Sequence, residues 1–183
     1  MILSNVDILK YLNNNNLKIN SFNSDNLRSS SYCLSLSNEI IKLNKTNSVI
    51  KLSNKDTYPS SEKLIISDKK PYIIEPGEFL LASSIETISI SNGFTGFLSN
   101  ISGLARLGLN VLLSTHVASG FGTAKERAIV FELHNLSKNH IELIPNIRIC
   151  HLVFVSNNSP SSIGYDKSFP DKYKDSKLSE YFK

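Results

Sequence analysis

The chain is poor in the features that mark several protein classes. Its 183 residues include two cysteines, Cys33 and Cys150, far apart in sequence. Two such thiols do not form the disulfide framework of a small secreted domain, and we read both as ordinary thiols in a reducing compartment. No window comes near the roughly 18 apolar residues of a membrane-spanning helix. The N-terminal stretch MILSNVDILKYLNNNN has neither a basic start nor a sustained apolar run, so it does not read as a signal peptide. Basic residues are dispersed. Twenty Lys and Arg against 16 Asp and Glu leave a net charge of +4, which suits an anionic ligand such as a phosphate without marking a nucleic-acid partner. A Gly-x-Ser-x-Gly elbow, a Walker A loop and a dinucleotide fingerprint are all missing. The expectation is a soluble, cytoplasmic chain that engages neither nucleic acid nor membrane.

What is present reads mainly as β-structure. Asp7 to Leu12 carries apolar residues at helical spacing, with Ser4 or Asn5 available as a cap, and predicts a short N-terminal helix. From Ser30 onward the signals are short strands: Tyr32–Leu36, Glu39–Leu43, Ser48–Leu52, Lys63–Ser67, Tyr72–Ile74, Leu80–Ala82, Ile85–Ile90, Val111–Leu113, Ala128–Leu133, Ile141–Ile144 and Ile147–Val155. Pro76-Gly77, Asn92-Gly93 and Pro145-Asn146 supply turns. Ser102 to Leu109 predicts a helical turn ended by Gly108. Many short strands separated by turn residues predict an all-β barrel or sandwich. We place one domain over residues 1–155 and a flexible C-terminal tail over 156–183.

Candidate chemistry is sparse. His140-Ile141-Glu142 has the His-x-Glu pattern of zinc nucleobase deaminases, yet the accompanying Cys-x-x-Cys is missing and a zinc site needs three protein ligands. Cys150 and His151 are neighbours, so a strand sends their side chains to opposite faces and weakens a Cys–His nucleophile. Glu132 is more informative. In RAIVFELHN (Arg127 to Asn135), Ala128, Val130, Glu132 and His134 share one strand face and Ile129, Phe131 and Leu133 the other. On spacing alone, an exposed face on a half-solvated strand is the more ordinary reading. The sharper one is a carboxylate of raised pKa that shuttles protons, paired with a buried cation from elsewhere. Arg106, alone in the uncharged stretch SNISGLARLGLN (Ser99 to Asn110), is the candidate cation.

Five segments, in order, carry a resemblance. SSSYCLSL (Ser29 to Leu36) is similar to A-S-Y-D-L-R-L, and EPGEFLLASSIETISI (Glu75 to Ile90) to P-G-E-F-x-L-A-x-T-x-E. SGLARLGL (Ser102 to Leu109) is similar to S-S-L-A-R-L-G-L, FELHNLS (Phe131 to Ser137) to L-E-x-x-N, and Ile141 to Phe154 to the strand pair that follows. These segments belong to the dCTP deaminase branch of the dUTPase-like superfamily, which the chain therefore resembles. The resemblance implies a distorted, jelly-roll-like β-barrel that assembles as a homotrimer with active sites between subunits. It implies that Glu132 activates water for attack on C4 of cytosine, with Arg106 and Ser102 holding water, base and carboxylate. Gly103, Ser114, Ala118 and Phe121 fall at nucleotide-binding positions, and Tyr165, Lys172 and Tyr173 match tail residues that close over the triphosphate. No metal enters the deamination; Mg²⁺ rides on the triphosphate.

The chain also departs from that pattern. Ile101 stands where the family has a phosphate-binding arginine, Gly103 replaces the second serine, and Ala118 replaces an aspartate that binds the 3′-hydroxyl. Cys33 and Ser35 replace the Asp and Arg of the first motif, and GTAKER (Gly122 to Arg127) lengthens one link. The losses fall on phosphate and sugar recognition, with Lys125, Arg127 or a tail lysine as candidate substitutes. Three readings stand at this point: a deaminase of a cytosine deoxynucleotide, most simply dCTP; a dUTP pyrophosphatase, alone or combined with deamination; and a degenerate module that binds nucleotide or protein.

Overall fold

The two long central strands of this fold each hold partners along both edges, and that sharing bends the sheet. The structure is a computed structural model that describes residues 1–169. Among these residues twelve strands are formed: β1 (Leu17–Ile19), β2 (Leu27–Arg28), β3 (Ser31–Leu43), β4 (Ser61–Ile65), β5 (Tyr72–Ile74), β6 (Phe79–Ile90), β7 (Phe94–Asn100), β8 (Leu109–Asn110), β9 (His116–Val117), β10 (Arg127–Asn135), β11 (Ile141–Leu143) and β12 (Arg148–Ser156). Three helices join them: α1 (Asn5–Asn13), α2 (Ser102–Arg106) and α3 (Tyr165–Ser168). The main sheet runs β8-β10-β6-β3-β12-β7-β9, with β1 on β6 and β2 and β4 on β3; β5 and β11 form a separate pair. The start of β3 pairs with β12, from Tyr32 opposite Leu152 to Ser35 opposite Arg148. Its end pairs with β6 and β4. Register shifts between Leu36 and Ile40, and on β10 between Ala128 and Val130, mark the bends. Bulges of this kind add twist and curl a sheet toward closure, and the result is the expected mostly-β, part-closed barrel.

The inner face is apolar and dry. Tyr32, Leu34, Leu36, Ile40, Leu80, Ala82, Ile88, Ile90, Phe131, Leu133, Leu152 and Phe154 have no solvent exposure and belong to one cluster. Burial of side chains of this size contributes about 1.5–3 kcal/mol each. Helix α1 seals one side of this core. Ser4 caps it by accepting a bond from the Asp7 N–H at 3.2 Å, while Asp7 accepts the Ser4 N–H at 3.1 Å, so the pair satisfies two otherwise orphaned donors. Ile8 on its inward face is fully buried. Among the described residues, no helix is long and apolar enough to cross a membrane.

Three sequence expectations are corrected. Ser48–Leu52 is not a strand: Val49, Ile50 and Leu52 are exposed, and the β-rich run finds no ladder partner. Val111–Leu113 is also irregular, because the strand there is the shorter β8. The separate strands read at Tyr32–Leu36 and Glu39–Leu43 are one continuous β3, and those at Leu80–Ala82 and Ile85–Ile90 are one β6. Pairing on both edges carries these ladders through serines and an asparagine that locally read as breaks. Strand β7, which the periodicity does not mark, fills the edge beside β12.

Asn135 ties the end of β10 to the rest. It is fully buried, and its amide donates to Ile74 O at 3.0 Å and Asn139 O at 2.7 Å while accepting from Ser137 N at 3.0 Å and Ser137 Oγ at 2.8 Å. Replacement leaves buried backbone groups without partners, at about 1–3 kcal/mol for each. Asn135→Ala is therefore expected to lower stability by about 3 kcal/mol, read as the shift in the urea midpoint.

Candidate active site around Glu132

Strand β10 presents two different faces. Arg127, Ile129, Phe131, Leu133 and Asn135 are buried, and Ala128, Val130, Glu132 and His134 alternate with them as half-buried positions. The alternation is the one the sequence predicts. On the half-buried face, Glu132 Oε2 accepts hydrogen bonds from the backbone N–H groups of Leu113 and Ser114, both at 3.2 Å. An asparagine pair shapes the segment that supplies these donors. Asn100 Nδ2 donates to Asn110 Oδ1 at 2.9 Å, Val111 N donates to Asn100 Oδ1 at 3.0 Å, and Asn110 Nδ2 donates to Leu112 O at 3.0 Å. Backbone donors fix a carboxylate without a counter-cation. The second oxygen, Oε1, has no hydrogen bond among the described residues.

Glu132 lines a pocket of about 190 Å³ with Leu98, Ser114, His116, Val117, Ala118, Phe121, Ala128, Ile129, Val130 and Tyr165. Five residues that the resemblance puts at the site, Glu132, Ser114, Ala118, Phe121 and Tyr165, therefore meet around one cavity. His116, an isolated histidine in the sequence, is also among these lining residues. It stands at the pocket edge with its ring centroid 5.8 Å from that of Phe97, and a lone histidine carries no spacing signal that would have singled it out.

The expected pairing of Arg106 with Glu132 is not made among the described residues. Arg106, Ser102 and Gly103 lie on α2 and are exposed, and Arg106 takes part in no ion pair among the described residues. The five-residue helix has no fully buried side chain, and Leu104 alone packs half-buried against the core. Glu132 is accordingly half-buried rather than buried, and its partners are amides. Lys172 and Tyr173 fall outside the described residues.

Arg127, expected as a substitute phosphate ligand, is engaged elsewhere. It is 5% exposed and forms an ion pair with Asp166. Its guanidinium lies 4.5 Å from the Phe121 ring centroid and 5.6 Å from that of Tyr165. The GTAKER link is held at its other end by Glu126, which accepts from Asn20 Nδ2 at 2.6 Å and pairs with Lys18 at 3.4 Å. Lys125 remains exposed.

The other candidate chemistries separate in space. Burial pushes the Cys150 thiol up to about 12, away from any nucleophilic form at neutral pH. His151 does not face it. Its Nδ1 lies 3.1 Å from Ser31 Oγ and 3.4 Å from the buried Cys33 Sγ across the β3–β12 ladder, and burial lowers its pKa. His140 and Glu142 both stand exposed. Among the described residues no three His, Cys, Asp or Glu side chains converge as a metal site.

The part-closed, mostly-β sheet has the dUTPase-like fold. Among solved structures, the 2'-deoxycytidine 5'-triphosphate deaminase from Agrobacterium tumefaciens superposes with a TM-score of 0.66 at 13% identity, over 85% of this chain and 48% of that one, a likeness of fold alone. This chain thus spans about half the length of that protein. The sequence comparisons narrow the class. A dCTP deaminase-like domain matches residues 2–157. A Hydrogenobaculum sp. (strain Y04AAS1) protein named dCTP deaminase, dUMP-forming, is 35% identical over 154 residues, 84% of this chain and 81% of its own length. A Sulfurihydrogenibium sp. (strain YO3AOP1) protein of the same name is 33% identical over 175 residues, 94% of this chain and 91% of its own. The chain belongs to the dCTP deaminase family and is an enzyme of it.

Because Glu132 is half-exposed and bonded only to backbone amides, Glu132→Gln keeps an acceptor oxygen in place. We expect it to cost no more than about 1 kcal/mol in thermal unfolding, so that any catalytic effect of this variant is separable from folding.

Proposed function

We propose that the protein deaminates dCTP at the Glu132 pocket. The observation that carries this reading is a carboxylate oriented by two backbone amides on one oxygen and unbonded on the other, in a pocket lined by Ser114, Ala118, Phe121 and Tyr165. Family membership supplies the substrate class. Glu132 takes a proton from water as the water oxygen bonds to C4 of cytosine, and delivers that proton to N3. The tetrahedral adduct then collapses: the proton of the new 4-hydroxyl passes to the C4 amino group, the C4–N bond breaks to release ammonia, and the uracil carbonyl remains. One carboxylate serves both transfers because the acceptor and the donor are neighbouring atoms. The substrate arrives as its Mg²⁺ complex, the ion travelling on the phosphates.

The site is completed between subunits of a homotrimer. Exposed Arg106 and Ser102 on α2 of one copy reach the pocket of the next, which answers why one protomer leaves them in solvent. A second outcome, further hydrolysis of the nucleotide to dUMP and pyrophosphate, is favoured by the shared name of the relatives, dUMP-forming.

Incubation with Mg·dCTP while ammonia, pyrophosphate and the uracil nucleotide are quantified tests the proposal. Ammonia in equal amount to uracil product is expected, and ammonia with equal pyrophosphate marks the second hydrolysis. Silence toward every cytosine deoxynucleotide rejects deamination. Glu132→Gln is expected to lower kcat by at least about 10³-fold with folding retained, the upper range for a lost general base being near 10⁴. Arg106→Ala should be inactive as well. Co-refolding the two inactive variants in equal amounts should restore about a quarter of wild-type activity, since a site shared between random neighbours draws both intact residues in about one case in four. No recovery excludes a shared site.

A further inference from the structure

One wall of the Glu132 pocket is held by a carboxylate that lies outside every motif of the resemblance. Asp166 sits in α3 with its side chain 8% exposed. It accepts a bond from Gly122 N at 3.3 Å and from Ala124 N at 2.9 Å, and it pairs with Arg127. Asp166 does not line the pocket, but its neighbour Tyr165 does, and so does Phe121 from the loop that Asp166 bonds. The two rings stand 6.2 Å apart between centroids, with the Arg127 guanidinium near both. The main chain locks the same joint. Tyr165 N donates to Ser119 O at 2.8 Å, and a Cβ on Gly120 would fall 2.4 Å from Gly164 Cα.

We propose that Asp166 is a positioning residue for this pocket. Through Arg127 and the loop amides, it fixes Tyr165 and Phe121 as a wall formed before substrate arrives, and so sets how tightly substrate is held. The inference rests on the deaminase reading of the same site. A buried guanidinium needs a counter-charge, and Asp166 is the carboxylate paired with it. Neutralising Asp166 removes the carboxylate charge paired with Arg127 beneath two aromatic rings and leaves one acceptor oxygen where two serve the loop amides, so the wall loses its fixed position. Glu132 is held by a separate pair of amides, at Leu113 and Ser114, and stays in place. Ordering that is lost before binding must be supplied during binding, which weakens affinity and leaves the chemistry alone.

The test is steady-state ammonia release from Mg·dCTP by the full chain, comparing wild type, Asp166→Asn, Tyr165→Ala and the double variant, with thermal unfolding measured alongside. Asp166→Asn is expected to raise KM about tenfold or more with kcat within about twofold. Tyr165→Ala should do the same, and the double variant should be no worse than the poorer single one, because both remove one wall. An unchanged KM for Asp166→Asn, a loss confined to kcat, or additive effects in the double variant overturns the proposal. Should Asp166→Asn fail to fold, Arg127→Lys serves instead, since it keeps the charge but not the planar donor set. A raised KM supports the proposal, and wild-type kinetics sink it. A silent wild type rejects the deaminase reading separately. The joint is then read by hydrogen exchange over residues 119–126, which Asp166→Asn should accelerate about tenfold or more; equal exchange overturns it.

Discussion

The alternation along β10 is the constraint from which the rest follows. A strand has two faces, and here each meets a different demand. Ile129, Phe131 and Leu133 must stay dry for the barrel to hold together, and the antiparallel register with β6 fixes where they point. Glu132 is then committed to the other face, opposite Leu81 on the neighbouring strand. A shift of one residue would drive the carboxylate into the core and the phenyl ring of Phe131 into water. The stability of the sheet and the placement of the chemistry are therefore one property.

The charges near this strand are arranged by how each is compensated. Glu132 is stabilised by oriented amides and keeps one oxygen free. Arg127 is neutralised by Asp166 and shielded by aromatic rings, so it serves the architecture. Arg106 is left in solvent on a helix with no fully buried side chain. Of these two arginines, Arg106 takes part in no ion pair among the described residues.

Much of this was readable before any coordinates. Period-two spacing gave the faces of β10, the Ser4 cap gave α1, and Asn92-Gly93 gave the turn into β7. The resemblance named Glu132 and four other residues that line its pocket, Ser114, Ala118, Phe121 and Tyr165. What was hidden is non-local. The continuity of β3 and β6 depends on partners far along the chain, which override Ser37, Asn38, Ser83 and Ser84 as apparent breaks. Val49 and Ile50 have strand-like side chains but no neighbour to pair with. The pairing of Arg127 with Asp166 spans 39 residues, and a lone aspartate after a Gly-Tyr carries no pattern. The uncharged stretch around Arg106 pointed to a cation paired with Glu132, and among the described residues Arg106 stands exposed without an ion pair.

The meeting of Gly120 with Gly164 and Tyr165 makes the lip of the pocket a main-chain joint with no side chain between its halves. Such a joint admits no gradual adjustment, because any substitution at Gly120 adds bulk where none fits. Evolutionary change at this rim is therefore channelled into the flanking rings and the carboxylate. Divergence in what the enzyme accepts would be written in Phe121, Tyr165 and Asp166, while the two glycines stay as they are.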